Sequence, residues 1–352
     1  MTAVYILIAI LFFGVLIAIH ELGHFAAAKA CGVRVEEFAV GMGPAIFKKK
    51  KGETEYSLRI VPFGGFCAMT GEDGGSEDPR AFVNQAHWKR ILILVAGSFM
   101  NFLLGFVIVL LLYAGVKAVV APVITEFMPG CPYESAEGLQ VGDRFVRING
   151  HRVVVQSDVN RYLDKDGVYD LVIERGGETV RLDGFAMSRR SYEGESGLYF
   201  GFRFGSVEKA GFAVKLRESW STTKEFASLV WLSLGELVRG RVGLQDLSGP
   251  VGIVEVMAET GEQAQTAAEG LRSIFYLGAF IAVNLAVMNM LPIPALDGGR
   301  VFLLLVTWLI ETVTRRKLDP KYEGWIHTVG MVLLLALMAF VLFNDIFKLI
   351  RG

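Results

Sequence analysis

Cysteine and net charge are both scarce in this chain. Cys31, Cys67 and Cys131 are the only cysteines among 352 residues, and they stand far apart. An odd and scattered set predicts neither a disulfide framework nor a zinc site made of thiolates. The 35 basic and 36 acidic residues leave a net charge of −1, which argues against nucleic acid as a partner. The N-terminus lacks the basic flank and cleavage site of a signal peptide, so its apolar run should persist as a membrane span.

Apolar residues, by contrast, are abundant. They make up 53% of the chain against 20% charged residues, and the mean hydropathy is +0.45. This composition predicts a polytopic α-helical membrane protein that carries one modest soluble domain. Four runs are long enough to cross a lipid bilayer as transmembrane helices. They are about residues 3–30, 91–116, 271–310 and 325–347.

The first span contains the pattern His20-Glu21-x-x-His24. Histidines four apart on a helix point the same way, so both imidazoles can bind one metal ion. Glu21 stands beside the first histidine, where a carboxylate can take a proton from water that the metal activates. Three ionisable groups inside an apolar span are costly and usually functional. The structural alternative is a pair of histidines at the membrane surface with Glu21 as their ion-pair partner.

The third span is interrupted near its middle. The stretch 289–300 holds two prolines and two glycines, which cannot continue a regular helix. Irregular backbone at membrane depth is tolerated where it lines a cavity or is buried in protein. We therefore expect Asp297 to be a carboxylate held at a functional depth.

Basic residues predict the orientation of the spans. Residues 31–90 contain four consecutive lysines, 48–51, so the positive-inside rule places this loop in the cytoplasm and the N-terminus outside. His20 lies about 17 residues into the first span, or roughly 25 Å along the helix axis, which puts the metal near the cytoplasmic leaflet. Lys348 and Arg351 fall outside, in mild conflict with this rule. A second cytoplasmic group consists of Arg315, Arg316, Lys317 and Lys321.

The cytoplasmic loop is predicted to hold a membrane-associated β-hairpin at about residues 53–69. Residues 55–61 alternate between polar and apolar like a strand, and residues 62–69 supply a turn with apolar flanks. We interpret this hairpin as dipping toward the metal, with an ordinary surface hairpin as the alternative.

Small and polar residues mark the second span. Gly97, Ser98, Asn101 and Gly105 have spacings that allow close approach of another helix. Asn101 could pack in that contact or face the metal cavity, and packing is the expected role.

Residues 119–205 differ in character from the spans. Short β-rich runs alternate with glycines, as in the glycine turn, strand and Asn-Gly turn of residues 138–150. This pattern resembles a PDZ domain, which binds extended peptides by strand addition. We expect it outside the membrane, after the first half of a catalytic membrane core, residues 1–118. An amphipathic helical connector too short to span, residues 206–252, and the second half of the core, residues 253–352, would follow.

Together these parts resemble the site-2 protease family of intramembrane zinc metalloproteases, in the bacterial RseP/RasP type with a single PDZ domain. The resemblance covers nearly the whole chain. One departure is Ser98, where many members carry proline. The motifs are His20-Glu21-x-x-His24, Phe63-Gly64-Gly65, Ala96-Gly97-x-x-x-Asn101-Phe102, Ser248-Gly249-Pro250, and Asn284 with residues 289–298.

The resemblance implies a chemistry and a set of residues. Zn2+ would be the cofactor, held by His20, His24 and Asp297, and Glu21 would act as the catalytic base. Substrates would be single-span membrane proteins, such as an anti-sigma factor or a signal-peptide remnant, cut within or near their transmembrane segment in the bacterial inner membrane. The residues implied in substrate binding are Asn284, Asn289, Gly64, Gly65 and Phe66.

Two other functions fit parts of the same pattern. A metal transporter or metal chaperone would use His20, His24 and Asp297 to carry an ion, but it would need no base at Glu21. A non-catalytic scaffold would work through its PDZ-like domain and use the spans as an anchor. Replacing Glu21 distinguishes the transporter from an enzyme. Zinc content and the effect of replacing Asp297 distinguish the scaffold.

Overall fold

The computed structural model describes residues 2–72, 74–241, 249–314 and 321–351. The chain divides into two units: the first comprises Met1–Leu112 and Ser219–Gly352, and the second comprises Tyr113–Glu218. Some residues of the sequence motifs lie outside the described residues. They are Ser248, Arg315, Arg316 and Lys317.

Helices make up most of the first unit, and strands are the main regular structure of the second. The helices are α1 (Thr2–Cys31), α2 (His87–Ala114), α3 (Gln156–Tyr162), α4 (Phe212–Val238), α5 (Pro250–Glu262), α6 (Ala267–Asn289), α7 (Asp297–Thr314) and α8 (Lys321–Arg351). The strands are β1 (Val35–Lys51), β2 (Thr54–Met69), β3 (Ala118–Val120), β4 (Ile124–Phe127), β5 (Arg144–Ile148), β6 (His151–Arg152), β7 (Gly167–Arg175), β8 (Glu178–Met187), β9 (Phe202–Phe204) and β10 (Val207–Lys209).

Three helices of the described residues, α1, α2 and α6, are long and apolar enough to cross a membrane. The interrupted span predicted at 271–310 is two helices, because α6 ends at Asn289 and α7 begins at Asp297. The fourth predicted span, 325–347, falls within α8, whose apolar stretch among the described residues is Thr328–Ala339. The described chain therefore has three candidate membrane helices and some sheet.

Glycines let the spanning helices approach one another closely. A Cβ atom on Gly23 of α1 would overlap the carbonyl oxygen of Ala96 in α2. A Cβ atom on Gly105 of α2 would lie 2.7 Å from the side chain of Val283 in α6. Small residues favour such contacts in lipid, where van der Waals packing replaces the hydrophobic effect between helices. The close approach predicted for the second span is confirmed at Gly105.

Strands β1 and β2 form one long antiparallel hairpin that turns between Lys51 and Thr54. Val40 pairs with both Gly65 and Leu58, so the first half of β1 lies between two segments of β2. As a result, segment 65–69 has a strand partner on one side only within the part of the chain that the structure describes.

The turn predicted at residues 62–69 is confirmed only at its start. Residues 55–58 and 65–68 both pair with residues 37–40 but run in opposite directions, so the chain turns between Leu58 and Gly65, and residues 65–69 are strand. The predicted hairpin also lacked strand β1, which is the strand that both segments of β2 pair with. Gly41, Gly43 and Gly64 have positive φ values of 87°, 82° and 95°, near the points where the register shifts. These glycines therefore lie where β1 and β2 each fold back on themselves, in backbone conformations that favour glycine.

The second unit is built around a four-stranded antiparallel sheet in the order β6-β5-β7-β8. Strand β4 pairs with β9, β3 pairs with β10, and α3 lies between β6 and β7 in the chain. The core is centred on fully buried residues of β5 and β7, namely Phe145, Ile148, Leu171 and Ile173. Residues 206–218, which we assigned to the connector, supply β10 and the first turns of α4 to this unit.

A buried ion pair joins the residue before β5 to the end of β7. Asp143 is fully buried and accepts hydrogen bonds from the guanidinium of Arg175 at 2.7 and 2.8 Å and from the backbone N–H of Gln140 at 2.7 Å. The hydrogen bonds to Asp143 raise the pKa of Arg175 above its ordinary value. Because Asp143→Ala leaves a partly buried charge without its partner, it should destabilise the second unit by about 3–5 kcal/mol.

Hydrogen exchange of the β5 and β7 amides in the full chain measures this loss, which should appear as faster exchange in both strands. Asp166→Ala is the matched control, because it removes an exposed partner of Arg189 and should change exchange far less. Equal acceleration in the two variants would show that the buried pair has no special role.

Candidate metal centre

Two histidines of α1 lie side by side in the first unit. His20 and His24 are one helical turn apart, with 9% and 7% of their surface exposed. Their Nε2 atoms are 3.1 Å apart. Nδ1 of His24 lies 2.8 Å from the carbonyl oxygen of Ile93 in α2. Since a carbonyl oxygen only accepts, Nδ1 donates this hydrogen bond, and Nε2 of the neutral ring offers a lone pair.

Asp297 meets both histidines from a distant part of the chain. It is the first residue of α7, and its Oδ2 atom lies 3.1 Å from Nε2 of His20 and 3.4 Å from Nε2 of His24. One ligand atom from each of the three residues lies within 4.8 Å of the other two. The structure therefore brings together the three residues that the family resemblance implies as zinc ligands.

These separations fit a zinc ion. Two ligand atoms that are each about 2.0–2.1 Å from a tetrahedral zinc lie about 3.3 Å apart, close to the three distances above. When both rings are neutral with the proton on Nδ1, two nitrogen lone pairs and a carboxylate oxygen face one another at these distances, an arrangement that a bound cation stabilises. Two imidazole nitrogens and one carboxylate are also a donor set typical of catalytic zinc. His20, His24 and Asp297 are thus suited to bind zinc.

Helix α2 passes close to both histidines at Gly97. A Cβ atom at this position would overlap Nε2 of His24 and would lie 2.8 Å from Cε1 of His20. The lack of a side chain at Gly97 is therefore what allows α2 to pack against the two imidazole rings.

Asn101, one turn further along α2, also faces this cluster. Its side chain is buried, and its Nδ2 atom lies 3.4 Å from Nδ1 of His20. Of the two positions that the sequence left open for Asn101, the structure thus has it facing the metal cluster. The sequence does indicate that Asn101 lies on the same face of α2 as Gly97, because the two residues are four apart. The sequence does not show which helix that face meets.

Glu21 lies against the end of strand β2. The backbone N–H of Cys67 lies close to its carboxylate. A Cβ atom on Gly65 would lie 3.4 Å from Cγ of Glu21 and 2.9 Å from the carbonyl oxygen of Ala39. The one-sided edge of β2 therefore reaches the proposed base.

The other two hairpin residues of the predicted site flank this contact. Gly64, with its positive φ, packs against the side chain of Met42. The ring of Phe66 lies 4.9 Å from the guanidinium of Arg59. Of the three predicted hairpin residues, Gly65 is thus the one that the structure places against Glu21.

Asn284 and Asn289 lie in the last two turns of α6, and Asn289 is its final residue. Both side chains are partly exposed. The residue after Asn289 packs against the start of α7, where a Cβ atom on Gly298 would overlap its backbone. This contact brings the end of α6 next to the helix that begins with Asp297.

The backbone before Asp297 and an ion pair after it hold this residue in place. Ala295 has a φ of 79°, a left-handed conformation that is unfavourable for a residue with a side chain. Arg300, one turn after Asp297, forms an ion pair with Glu72, three residues beyond the end of β2, and both side chains are 21% exposed. The pair connects the helix that carries Asp297 to the strand that contacts Glu21.

We expect Glu72→Gln to weaken zinc binding about 10-fold, because α7 loses the charge that anchors its first turn. Competition between the purified protein and a zinc chelator measures the affinity. Glu55→Gln is the matched control, since it removes a partner of Lys48 in the hairpin and should leave zinc affinity unchanged. Parental affinity in Glu72→Gln would contradict the anchoring role.

Comparison with known proteins reveals the family. Residues 8–337, most of the chain, match the sequence profile described as peptidase family M50. The chain belongs to peptidase family M50. This is the site-2 protease family that the sequence motifs resemble.

Several M50 relatives match this chain over nearly its full length. A Clostridium perfringens protein with a zinc metalloprotease name is 37% identical over 97% of this chain and 98% of its own length. The zinc metalloprotease RasP of Geobacillus kaustophilus is 30% identical over 96% of this chain and 97% of its own. The regulator of sigma-W protease RasP of Bacillus subtilis is 28% identical over 97% of each chain. This M50 member is therefore a zinc metalloprotease with membrane helices, which sets aside the transporter and scaffold alternatives.

Proposed function

We propose that this protein is an intramembrane endopeptidase, which hydrolyses a peptide bond within or near the transmembrane segment of single-span membrane proteins. The observation that carries the proposal is the cluster of His20, His24 and Asp297, because two of its members lie in a helix long and apolar enough to span a membrane. Metal ligands within a membrane-spanning helix can hold an ion where it reaches a substrate that is itself in the bilayer.

The residues of the cluster divide the chemistry among them. His20, His24 and Asp297 would hold the zinc ion, and its Lewis acidity would lower the pKa of water and polarise a peptide carbonyl. Glu21 takes the proton from the attacking water and then gives it to the leaving nitrogen. The Cys67 backbone N–H, which lies close to the Glu21 carboxylate, can orient it for both transfers.

A transmembrane substrate must lose its helical hydrogen bonds before water can reach a peptide carbonyl. Segment 65–69 of β2 can accept the unwound stretch as an added strand, since it pairs with β1 on one side only among the described residues. Gly64, Gly65 and Phe66 would contact this stretch. The amides of Asn284 and Asn289 can bond backbone groups that would otherwise be unpaired in hydrocarbon.

The same proposal includes the orientation and the role of the second unit. We assign the N-terminus and the second unit to the outside of the bacterial inner membrane, with the zinc ligands near the cytoplasmic leaflet and a fourth span in α8. The second unit would act as a PDZ domain that docks or filters substrates. The Bacillus subtilis relative is named for regulation of sigma-W, which supports an anti-sigma factor as a substrate here. A signal-peptide remnant is a second candidate substrate, because it is also a single apolar span.

The test is cleavage of a single-span reporter protein by the purified chain in lipid vesicles. Chelation should abolish cleavage, and added zinc should restore it. Asp297→Asn should lose most of its zinc and should not recover at zinc concentrations that restore the parent. Cleavage confined to the soluble parts of the reporter, far from its span, would overturn the intramembrane assignment.

A further inference from the structure

The side-chain amide of Asn101 faces His20 with its nitrogen. This orientation of the amide conflicts with zinc binding by His20. Its side chain is 1% exposed, and Nδ2 faces Nδ1 of His20 at 3.4 Å. Its Oδ1 atom is buried and has no hydrogen-bond partner among the described residues. The two ends of an asparagine amide differ only in the placement of nitrogen and oxygen, so a half-turn exchanges them without moving the rest of the side chain.

The zinc cluster decides which end of the amide belongs opposite His20. Nε2 of His20 lies 3.1 Å from Oδ2 of Asp297, on the side where the ion binds. A neutral imidazole that offers its Nε2 lone pair to a metal carries its proton on Nδ1, and Nδ1 is then a donor. An amide N–H opposite that donor would be repelled, whereas the amide oxygen would accept the proton.

We propose that Asn101 accepts a hydrogen bond from Nδ1–H of His20 through Oδ1, and so positions His20 and fixes its tautomer for zinc. This assignment also gives the orphaned buried oxygen its partner, which removes the cost of leaving a polar atom unpaired. Asn101 is a positioning residue that acts through His20.

The second histidine supports the assignment independently. Nδ1 of His24 already donates to the carbonyl oxygen of Ile93 at 2.8 Å. Ile93, Gly97 and Asn101 are four residues apart on α2 and share one helix face. On this face of α2, the carbonyl oxygen of Ile93 accepts from His24, and Gly97 leaves room for both imidazole rings. In the proposed orientation, Oδ1 of Asn101 accepts from His20. Acceptors of this kind orient metal-binding histidines and raise their basicity.

Asn101→Asp tests the proposal, because the carboxylate has the shape of the amide but can only accept. Zinc affinity, measured by chelator competition on the purified full chain, should stay within a few-fold of the parent or increase. Asn101→Leu removes both ends of the amide and should weaken zinc about 10–100-fold. Ser98→Ala is the control, since it removes another buried polar group of α2 and should leave the affinity unchanged.

The rescue by aspartate separates positioning from packing. If Asn101 only packs, the leucine variant should bind zinc like the parent, and this result would overturn the proposal. Loss of zinc in Asn101→Asp as large as in Asn101→Leu would also overturn it, because it would show that the amide acts as a donor. Thermal unfolding in excess chelator reports folding apart from zinc, and the near-isosteric aspartate variant keeps the test decisive if the leucine variant does not fold. The readout is zinc affinity, so it is independent of the proposed substrate.

Discussion

Glu21→Gln should slow peptide hydrolysis by about 10²–10⁴-fold while zinc remains bound. Glutamine keeps the shape of the side chain and can still bond near Cys67, but it cannot take a proton from water. Glu21 is not one of the three clustered ligand residues, so zinc affinity should stay within a few-fold of the parent. Cleavage of the single-span reporter and zinc content should be measured on the same preparation.

Glu255→Gln makes the same chemical change at an exposed position of α5, away from the described contacts of the cluster. It should cleave and bind zinc like the parent. If Glu21→Gln retains a tenth or more of the parental rate, Glu21 is not the base. If it loses its zinc instead, Glu21 belongs among the ligands and the assignment of roles fails.

Gly97→Ala should remove most zinc binding and with it activity, although it adds a single methyl group. The new Cβ would overlap Nε2 of His24 and lie 2.8 Å from Cε1 of His20. The rings or the helix must therefore move, and a displacement of about 1 Å at a catalytic site costs on the order of 10²-fold. Alanine favours helix more than glycine does, so a local loss of helix cannot be the cause. Chelator competition and reporter cleavage both measure the effect.

Gly235→Ala is the matched control for this substitution. Gly235 lies in α4, and an added Cβ would meet no atom within 4 Å. This variant should keep parental zinc affinity and be slightly more stable, by about 0.5–1 kcal/mol. Parental zinc affinity in Gly97→Ala would instead mean that α2 does not pack against the ligands as the structure has it.

Two parts of the candidate site were accessible from sequence for clear reasons. His20 and His24 satisfy a local rule, since a spacing of four on a helix places both rings on one side. Asp297 stands out because a carboxylate in irregular backbone at membrane depth requires a use. Both inferences need only the side-chain types and their spacing within a short stretch of sequence.

Other contacts form where distant segments of the chain cross, and no local sequence pattern specifies those crossings. The ion pair of Glu72 and Arg300 joins residues 228 positions apart. The contact of Gly65 with Glu21 requires β1 to pair with β2 twice, and the predicted hairpin lacked β1 altogether.

The sequence by itself determined the membrane character, the pair of histidines with their neighbouring acid, and the late aspartate, because composition and helical periodicity are properties of short stretches. Only the tertiary structure decided that one face of α2 covers both imidazoles and that Asn101 lies beside His20. The physical reason is that the partner of a helix face depends on where two helices cross, and that crossing follows from close contacts such as Gly23 against Ala96, which form between segments distant in the chain.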